Sequence, residues 1–181
     1  MKQFIENEMM VHVALCTSKD PKNVLLIGKE NDALEKEIQK HTEISSKSIE
    51  CELDTIRDEK DKSYDVVICR QRGDEVVLAH INRVLKDDGL MVLSHPPLDE
   101  VKINKALMQI LGNYFKIIMP YNLGNCKTAL LVSKEYHPTA DIILQRADML
   151  DNLEYYNCDV HVGSFAMGNN IRKEYLGIIK N

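Results

Sequence analysis

Short apolar runs along the chain alternate with longer stretches in which apolar residues recur every three or four positions, and this alternation predicts the elements in order. Residues 3–16 carry Phe4, Ile5, Met9 and Val13 at helical spacing, with Met10 and Ala14 beside them, which predicts an amphipathic helix. It ends in 17-TSKDPKN-23, where Pro21 acts as a stop. The run 24-VLLI-27 reads as a buried strand, and a helical pattern occupies 32–41. The alternating 47-KSIECEL-53 predicts a second strand, and 64-YDVVIC-69 a third with apolar side chains on both faces, as in a covered parallel sheet. A helix over 76–85 stops at 86-KDDG-89, before a strand at 90–94 and a helix over 99–111. Strands at 114–120 and 127–134 flank a loop of Asn and Gly, and the tail, 141–157, is helical in its first part. Strand and helix in turn, with short connections, predict one doubly wound, Rossmann-like α/β domain over 1–181 with a mostly parallel sheet.

Composition narrows the function classes. A formal charge of −5 argues against nucleic acid, which calls for a basic face. The charge runs 29-KENDALEKE-37 and 57-RDEKDK-62 mix both signs and read as solvated surface. The five cysteines form no C-x-x-C pair and no cluster with His at metal spacing. We therefore expect no metal, and a reducing, cytoplasmic setting. No apolar run approaches the roughly 20 residues that span a bilayer, so no membrane is expected, and the first residues lack the apolar core of a signal peptide.

The turn after the first strand raises the chemical question. Gly28 is followed by Lys29, Glu30, Asn31 and Asp32, whereas nucleotide-binding turns use several glycines so that the ligand can lie against bare backbone. The G-x-G-x-x-G of a dinucleotide dehydrogenase is not present.

Four blocks carry a resemblance. The segment 8-EMMVHVALCTSKDPKNVLLIG-28 is similar to E-M-L-x-H-x-P-L-x-x-H-x-x-P-K-x-V-L-I-I-G, and 36-KEIQKH-41 to R-E-x-L-K-H. The strand 64-YDVVIC-69 resembles Y-D-V-I-I-x, and 155-YYNCDVHVGSFAM-167 resembles Y-Y-N-x-x-I-H-x-A-x-F-x-L. Together they resemble the spermidine synthase family, the polyamine aminopropyltransferases, over nearly the whole chain. The resemblance implies a methyltransferase-like Rossmann fold and aminopropyl transfer from decarboxylated S-adenosylmethionine to putrescine. It implies that nucleoside as a co-substrate, with no tightly bound cofactor, a polyamine as the second substrate, and a possible homo-oligomer. The family's small N-terminal β domain is expected to be missing here.

Residue by residue, the family's functional positions are changed. G-G-G-D-G-G falls on Gly28 to Ala33. The family's amine-holding Asp becomes Asn31, with Asp32 either a substitute or simply the cap of the next helix. The family's ribose-binding acid corresponds to Glu52, in 51-CELD-54. Only nine residues, 55-TIRDEKDKS-63, lie before the next strand, too few for a helix plus a strand, so the adenine wall and one edge strand are expected to be missing. D-S-S-D-P falls on 70-RQRGD-74, placing Arg70 where the family has the presumptive proton acceptor and leaving Asp74 as the one candidate for an amine contact. Tyr121 is a candidate substrate contact, and the family's N-terminal Tyr falls on Glu6. His12 and His161 read as structural.

Two functions follow: a divergent aminopropyltransferase with impaired or lost catalysis, or a pseudoenzyme that pairs with itself or a synthase through a sheet edge or the Met9–Met10 helix. A methyltransferase would need the glycine turn as much and leaves the 155–167 block unexplained.

Overall fold

The computed structural model describes residues 3–29, 31–71, 73–124 and 126–181. Along them the chain forms α1 (Gln3–Thr17), β1 (Asn23–Ile27), α2 (Asp32–Ile38), β2 (Ser45–Ile49), α3 (Leu53–Arg57), β3 (Tyr64–Cys69) and α4 (Glu75–Val84). Then come β4 (Leu85–His95), α5 (Val101–Leu111), β5 (Ile117–Asn122), β6 (Thr128–Ser133), α6 (Leu144–Asp148), α7 (Cys158–Ser164) and α8 (Asn169–Glu174).

The described strands form one six-stranded sheet in the order β2-β1-β3-β4-β6-β5. The first four run parallel, and β6 runs antiparallel to both its neighbours. Alternation along the strands sorts their side chains into two cores. Val24, Leu26, Val66, Ile68, Leu90 and Val92 pack under α1, α2 and the tail, while Leu25, Ile27, Val67, Met91 and Leu93 pack under α3, α4 and α5. A doubly wound layout follows, because each parallel crossover leaves a helix on one face or the other. Between Asp54 and Tyr64 there is the short α3 and no strand, so β2 is an outer edge of the sheet. At the other edge Pro120 sits in β5, where a residue without an N–H is tolerated. That edge is closed by a backbone bridge between Ile118 and Lys180. Among the described residues no helix is long and apolar enough to cross a membrane.

Several boundaries differ from the sequence reading. β2 ends at Ile49, so Cys51 and Glu52 lie beyond it. β4 starts at Leu85 and takes in 86-KDDG-89, with a register shift against β3 between Tyr64 and Val66. The first part of 141–157 is helical as expected, at α6, and two further short helices, α7 and α8, follow beyond residue 157.

The largest correction concerns α1. It is not a surface amphipathic helix, since every residue from Ile5 to Thr17 is buried, acids included. Met9 and Met10 are fully enclosed and offer no docking surface. The helix is tolerated there because its polar groups are answered by the tail. Glu8 accepts three backbone N–H bonds, from Glu154 (3.0 Å), Tyr155 (2.9 Å) and Tyr156 (2.8 Å). Arg146 of α6 donates to the carbonyls of Leu15, Ser18 and Lys19, which the end of α1 leaves unpaired.

The two histidines read as structural have such roles. His12 Nε2 donates to the Glu37 carboxylate (2.9 Å), and its Nδ1 shares a hydrogen bond with His41 Nε2 (2.9 Å). His161 Nε2 donates to the Pro138 carbonyl (3.0 Å), leaving Nδ1 to accept from the Tyr156 hydroxyl (2.7 Å). Burial lowers the pKa of His41 to about 3, helped by the nearby charges of His12 and Arg146, and burial lowers that of His161 to about 4.

Two expectations follow. Glu8→Ala leaves one buried and two part-buried N–H donors without their acceptor and should destabilise the fold by about 2 kcal/mol or more, read from urea denaturation. Glu8→Gln, which keeps an acceptor but loses the charge, should cost less. His41 and His161 stay neutral in the fold but protonate near pH 6.5 when unfolded. Their contribution is therefore complete above about pH 6.5 and is lost as pH falls toward the folded values. The urea midpoint should drop between about pH 6.5 and about pH 5, above the carboxylate range, and a His41→Gln/His161→Gln variant should lose most of that drop.

Candidate functional site

In an open α/β sheet, ligands bind outside the carboxyl ends of the strands where the strand order reverses. Here that point lies between β1 and β3, since the chain leaves β1 toward β2 and returns to the other side for β3. Gly28 makes the turn out of β1 with φ +135°, a conformation other residues rarely adopt. Its N–H is already bound to the Ile49 carbonyl at 2.9 Å, and Arg70 N–H reaches the Ile27 carbonyl at 3.3 Å. Main-chain groups that could face a nucleoside are thus partly consumed in the sheet.

Asn31 is 5% exposed and serves as N-cap residue of α2, though without a side-chain cap bond. Its amide Nδ2 donates instead to the Gly28 carbonyl (2.9 Å) and to Ser48 Oγ on β2 (2.7 Å), drawing the turn together. Its Oδ1 is buried and has no hydrogen-bond partner among the described residues. Asp32 is therefore not the cap. It lies exposed in the first turn of α2, where its charge favours the helix N-terminus. Glu30, to which the sequence reading gave a side chain in the nucleoside's space, lies outside the described residues, while Lys29 is exposed.

Glu52 is exposed at the N-cap of α3, and its carboxylate makes no cap bond. Its carbonyl instead accepts from Ile56 N–H and Thr55 Oγ1. Asp74 caps α4, its carboxylate accepting the Val77 N–H at 2.9 Å. It stands near enough to Cys51 to oppose ionisation of that thiol, so the ends of β2 and α4 do approach one another. Tyr121 is 1% exposed, donates to the Met9 carbonyl at 3.3 Å and packs on Phe165. It is a core residue, and contact with a substrate would require breaking that packing.

Two arrangements escaped the sequence reading. The Arg70 guanidinium donates to Asn7 Oδ1 on α1, and Glu6 on the same helix is ion-paired with Lys127, just before β6. Both join residues more than 60 positions apart and leave no local pattern. Cavities of about 350 Å³ and about 440 Å³ lie elsewhere. One is at the amino-terminal end of the strands around Lys22, His41 and Arg146, and the other is open to solvent and lined by residues 147, 148 and 150–158.

This architecture, with a mixed sheet of six strands and one reversed strand, is that of the S-adenosylmethionine methyltransferase-like Rossmann proteins. Two solved structures share it closely. A spermidine synthase in complex with the transition-state analogue AdoDATO superposes with a TM-score of 0.83 at 20% identity, covering 95% of this chain and 75% of that one. The spermidine synthase of Thermotoga maritima gives 0.82 at 22%, covering 95% and 74%. At such identities the likeness speaks to fold. In sequence, residues 3–59 match the spermine/spermidine synthase domain. The polyamine aminopropyltransferase of Helicobacter acinonychis is 27% identical over 93% of this chain and 76% of its own length. In sequence and in fold the chain is similar to the spermidine synthases.

The rebuilt turn makes its own prediction. Asn31→Asp replaces a buried amide that donates to the Gly28 carbonyl by a carboxylate facing the same oxygen, and should destabilise the protein by about 2 kcal/mol or more. Asp74→Ala should cost about 1 kcal/mol, as loss of a helix cap does. Denaturant titration of both variants beside the parent checks these values.

Proposed function

We propose that this chain is a spermidine-synthase-like protein of polyamine metabolism in which aminopropyl transfer is impaired or lost. The reaction needs a neutral amine to attack the carbon beside a sulfonium, in line with the departing sulfur, with a nearby group to take the proton. A sulfonium leaves readily, so positioned carboxylates supply most of what a protein can add.

The observation that carries the reading is the state of the loop after β3. Arg70 stands at the end of the strand and cannot act as a base at neutral pH. Asp74, the carboxylate left in that loop, is occupied as the cap of α4. Asn31 supports the same view, since its amide is committed to Gly28 and Ser48. Glu52 remains exposed and suited to two ribose hydroxyls, so weak binding of decarboxylated S-adenosylmethionine or methylthioadenosine is compatible with lost turnover.

A second reading, a non-catalytic assembly partner, draws on β2, an outer strand whose Ser45–Ser48 stretch is exposed. Its outer backbone groups could pair with a second copy of the chain or with an active synthase.

Incubation of the purified protein with decarboxylated S-adenosylmethionine and putrescine, followed by mass spectrometry, should give no spermidine above a protein-free control. Clear formation of spermidine would overturn the reading and make the chain a working aminopropyltransferase. In a parallel thermal-shift series, methylthioadenosine should raise the melting temperature little, if at all, at micromolar concentration.

A further inference from the structure

The cavity of about 350 Å³ lies at the end of the sheet opposite the Gly28 turn, where the segments that lead into β1 and β2 meet α6 and its flanking residues. Pro21, Ile44, Ile143 and Leu150 form its apolar wall, and Met149, 74% exposed, also lines it. Three cations face two acids there, Lys22, Lys40 and Arg146 against Asp20 and Glu43. Two of the cations are answered: Lys22 pairs with Asp20 (3.3 Å) and Glu43 (3.1 Å), and Lys40 with Glu37 (2.8 Å). Arg146 differs. It is half-buried, has no carboxylate partner among the described residues, and meets only the carbonyls of Leu15, Ser18 and Lys19. Carbonyls at a helix end carry a partial negative charge, which offsets a full cation only in part. Those three bonds use at most three of the five N–H groups of a guanidinium.

His41 supplies a second unmet group. It lines the same cavity and is 7% exposed. Its Nε2 is bonded to His12 Nδ1 at 2.9 Å, while its own Nδ1 is buried with no hydrogen-bond partner among the described residues. The two nitrogens of an imidazole point away from each other, so this one is turned away from His12. A buried polar atom without a partner is costly, and a ligand group that meets it gains more than it would at an exposed atom.

We propose that this cavity binds a small 2-hydroxycarboxylate with an apolar side chain. Its carboxylate takes the N–H groups that Arg146 has to spare, since a planar guanidinium offers two parallel donors to two carboxylate oxygens. Its hydroxyl faces His41 Nδ1. A hydroxyl both donates and accepts, so it serves the ring whichever nitrogen holds the proton. Its side chain packs on Pro21, Ile44, Ile143 and Leu150. Size and charge set the limits. Small-molecule pockets run from about 300 to 1,000 Å³, so a cavity of about 350 Å³ takes a small ligand. With one cation unanswered and two acids in the lining, a single negative charge is favoured over a phosphate dianion. This binding stands whether or not the chain transfers aminopropyl groups, because the Gly28 crevice is at the other end of the strands.

The test titrates the full chain with 3-phenyllactate and follows backbone amides by proton–nitrogen correlation NMR. Shifts should cluster at residues 20–22, 40–44 and 143–150 and fit a Kd of about 1 mM or below. Removing the hydroxyl, as in 3-phenylpropanoate, should weaken binding by about fivefold or more. The neutral 3-phenyllactamide should bind about tenfold more weakly or worse. Because Arg146 also closes the end of α1, the variants are made at Met149, whose side chain is exposed. Met149→Glu should weaken 3-phenyllactate several-fold, and Met149→Lys should not weaken it. The proposal is overturned if the amide binds as well as the acid, or if the hydroxyl-free acid does. Equal shifts with inorganic phosphate, shifts centred instead on Gly28 and Glu52, or no shifts at ten times the expected Kd would also overturn it.

Discussion

The fold depends on one buried carboxylate. A helix enclosed from Ile5 to Thr17 must have its polar groups answered inside the protein, because burying an unpaired charge costs several kcal/mol. Glu8 meets that demand with backbone donors alone, at the start of the block 154–156. The tail therefore does more than cover α1. It supplies the N–H groups without which α1 could not occupy the centre of one layer, and Tyr156 then carries the connection on to His161. The order of dependence runs from the end of the chain to its beginning, across about four-fifths of the sequence.

The candidate site shows the same economy turned to a different end. At the carboxyl edge of the sheet, groups that elsewhere would face a ligand are bonded to one another. Asn31 holds Gly28 and Ser48, Arg70 holds Asn7, Lys127 holds Glu6, and Asp74 holds the first turn of α4. Each bond stabilises the edge, and each removes a donor or acceptor from the crevice. A binding site is preorganised when its polar groups are aimed at empty space by their surroundings. Here the surroundings are the partners.

How much of this could be read from the residues follows from the reach of each interaction. The doubly wound class was legible because apolar runs and helical spacing are local, and the absence of a strand between Asp54 and Tyr64 followed from element length alone. The similarity to spermidine synthases was legible from motif blocks, of which those at 8–28 and 36–41 fall within the matched residues 3–59. The burial of α1 was not, because Glu6 and Glu8 look like solvent-facing residues until their partners, Lys127 and the 154–156 backbone, are known. Main-chain donors leave no trace in composition. Asp32 was misjudged as a cap because the choice between two adjacent residues depends on backbone dihedrals, and the turn starts α2 one residue earlier. Tyr121 was misjudged because β5 runs to Asn122, which carries that ring into the core instead of a loop.

The bridge between Ile118 and Lys180 has a consequence for the protein in concentrated solution. An unpaired outer strand is a template onto which other chains can add, and strand by strand addition is how soluble sheets become fibrils. β2 resists this by composition, with serines and Lys47, whereas β5 carries Ile117, Ile118 and Met119 and relies on Pro120 and on backbone contributed by residue 180. Loss of Lys180 would leave the carboxyl edge of the sheet and its strand pairing untouched, yet would uncover the most apolar rim of the sheet. Colloidal stability of this protein thus hangs on a few residues remote from its chemistry.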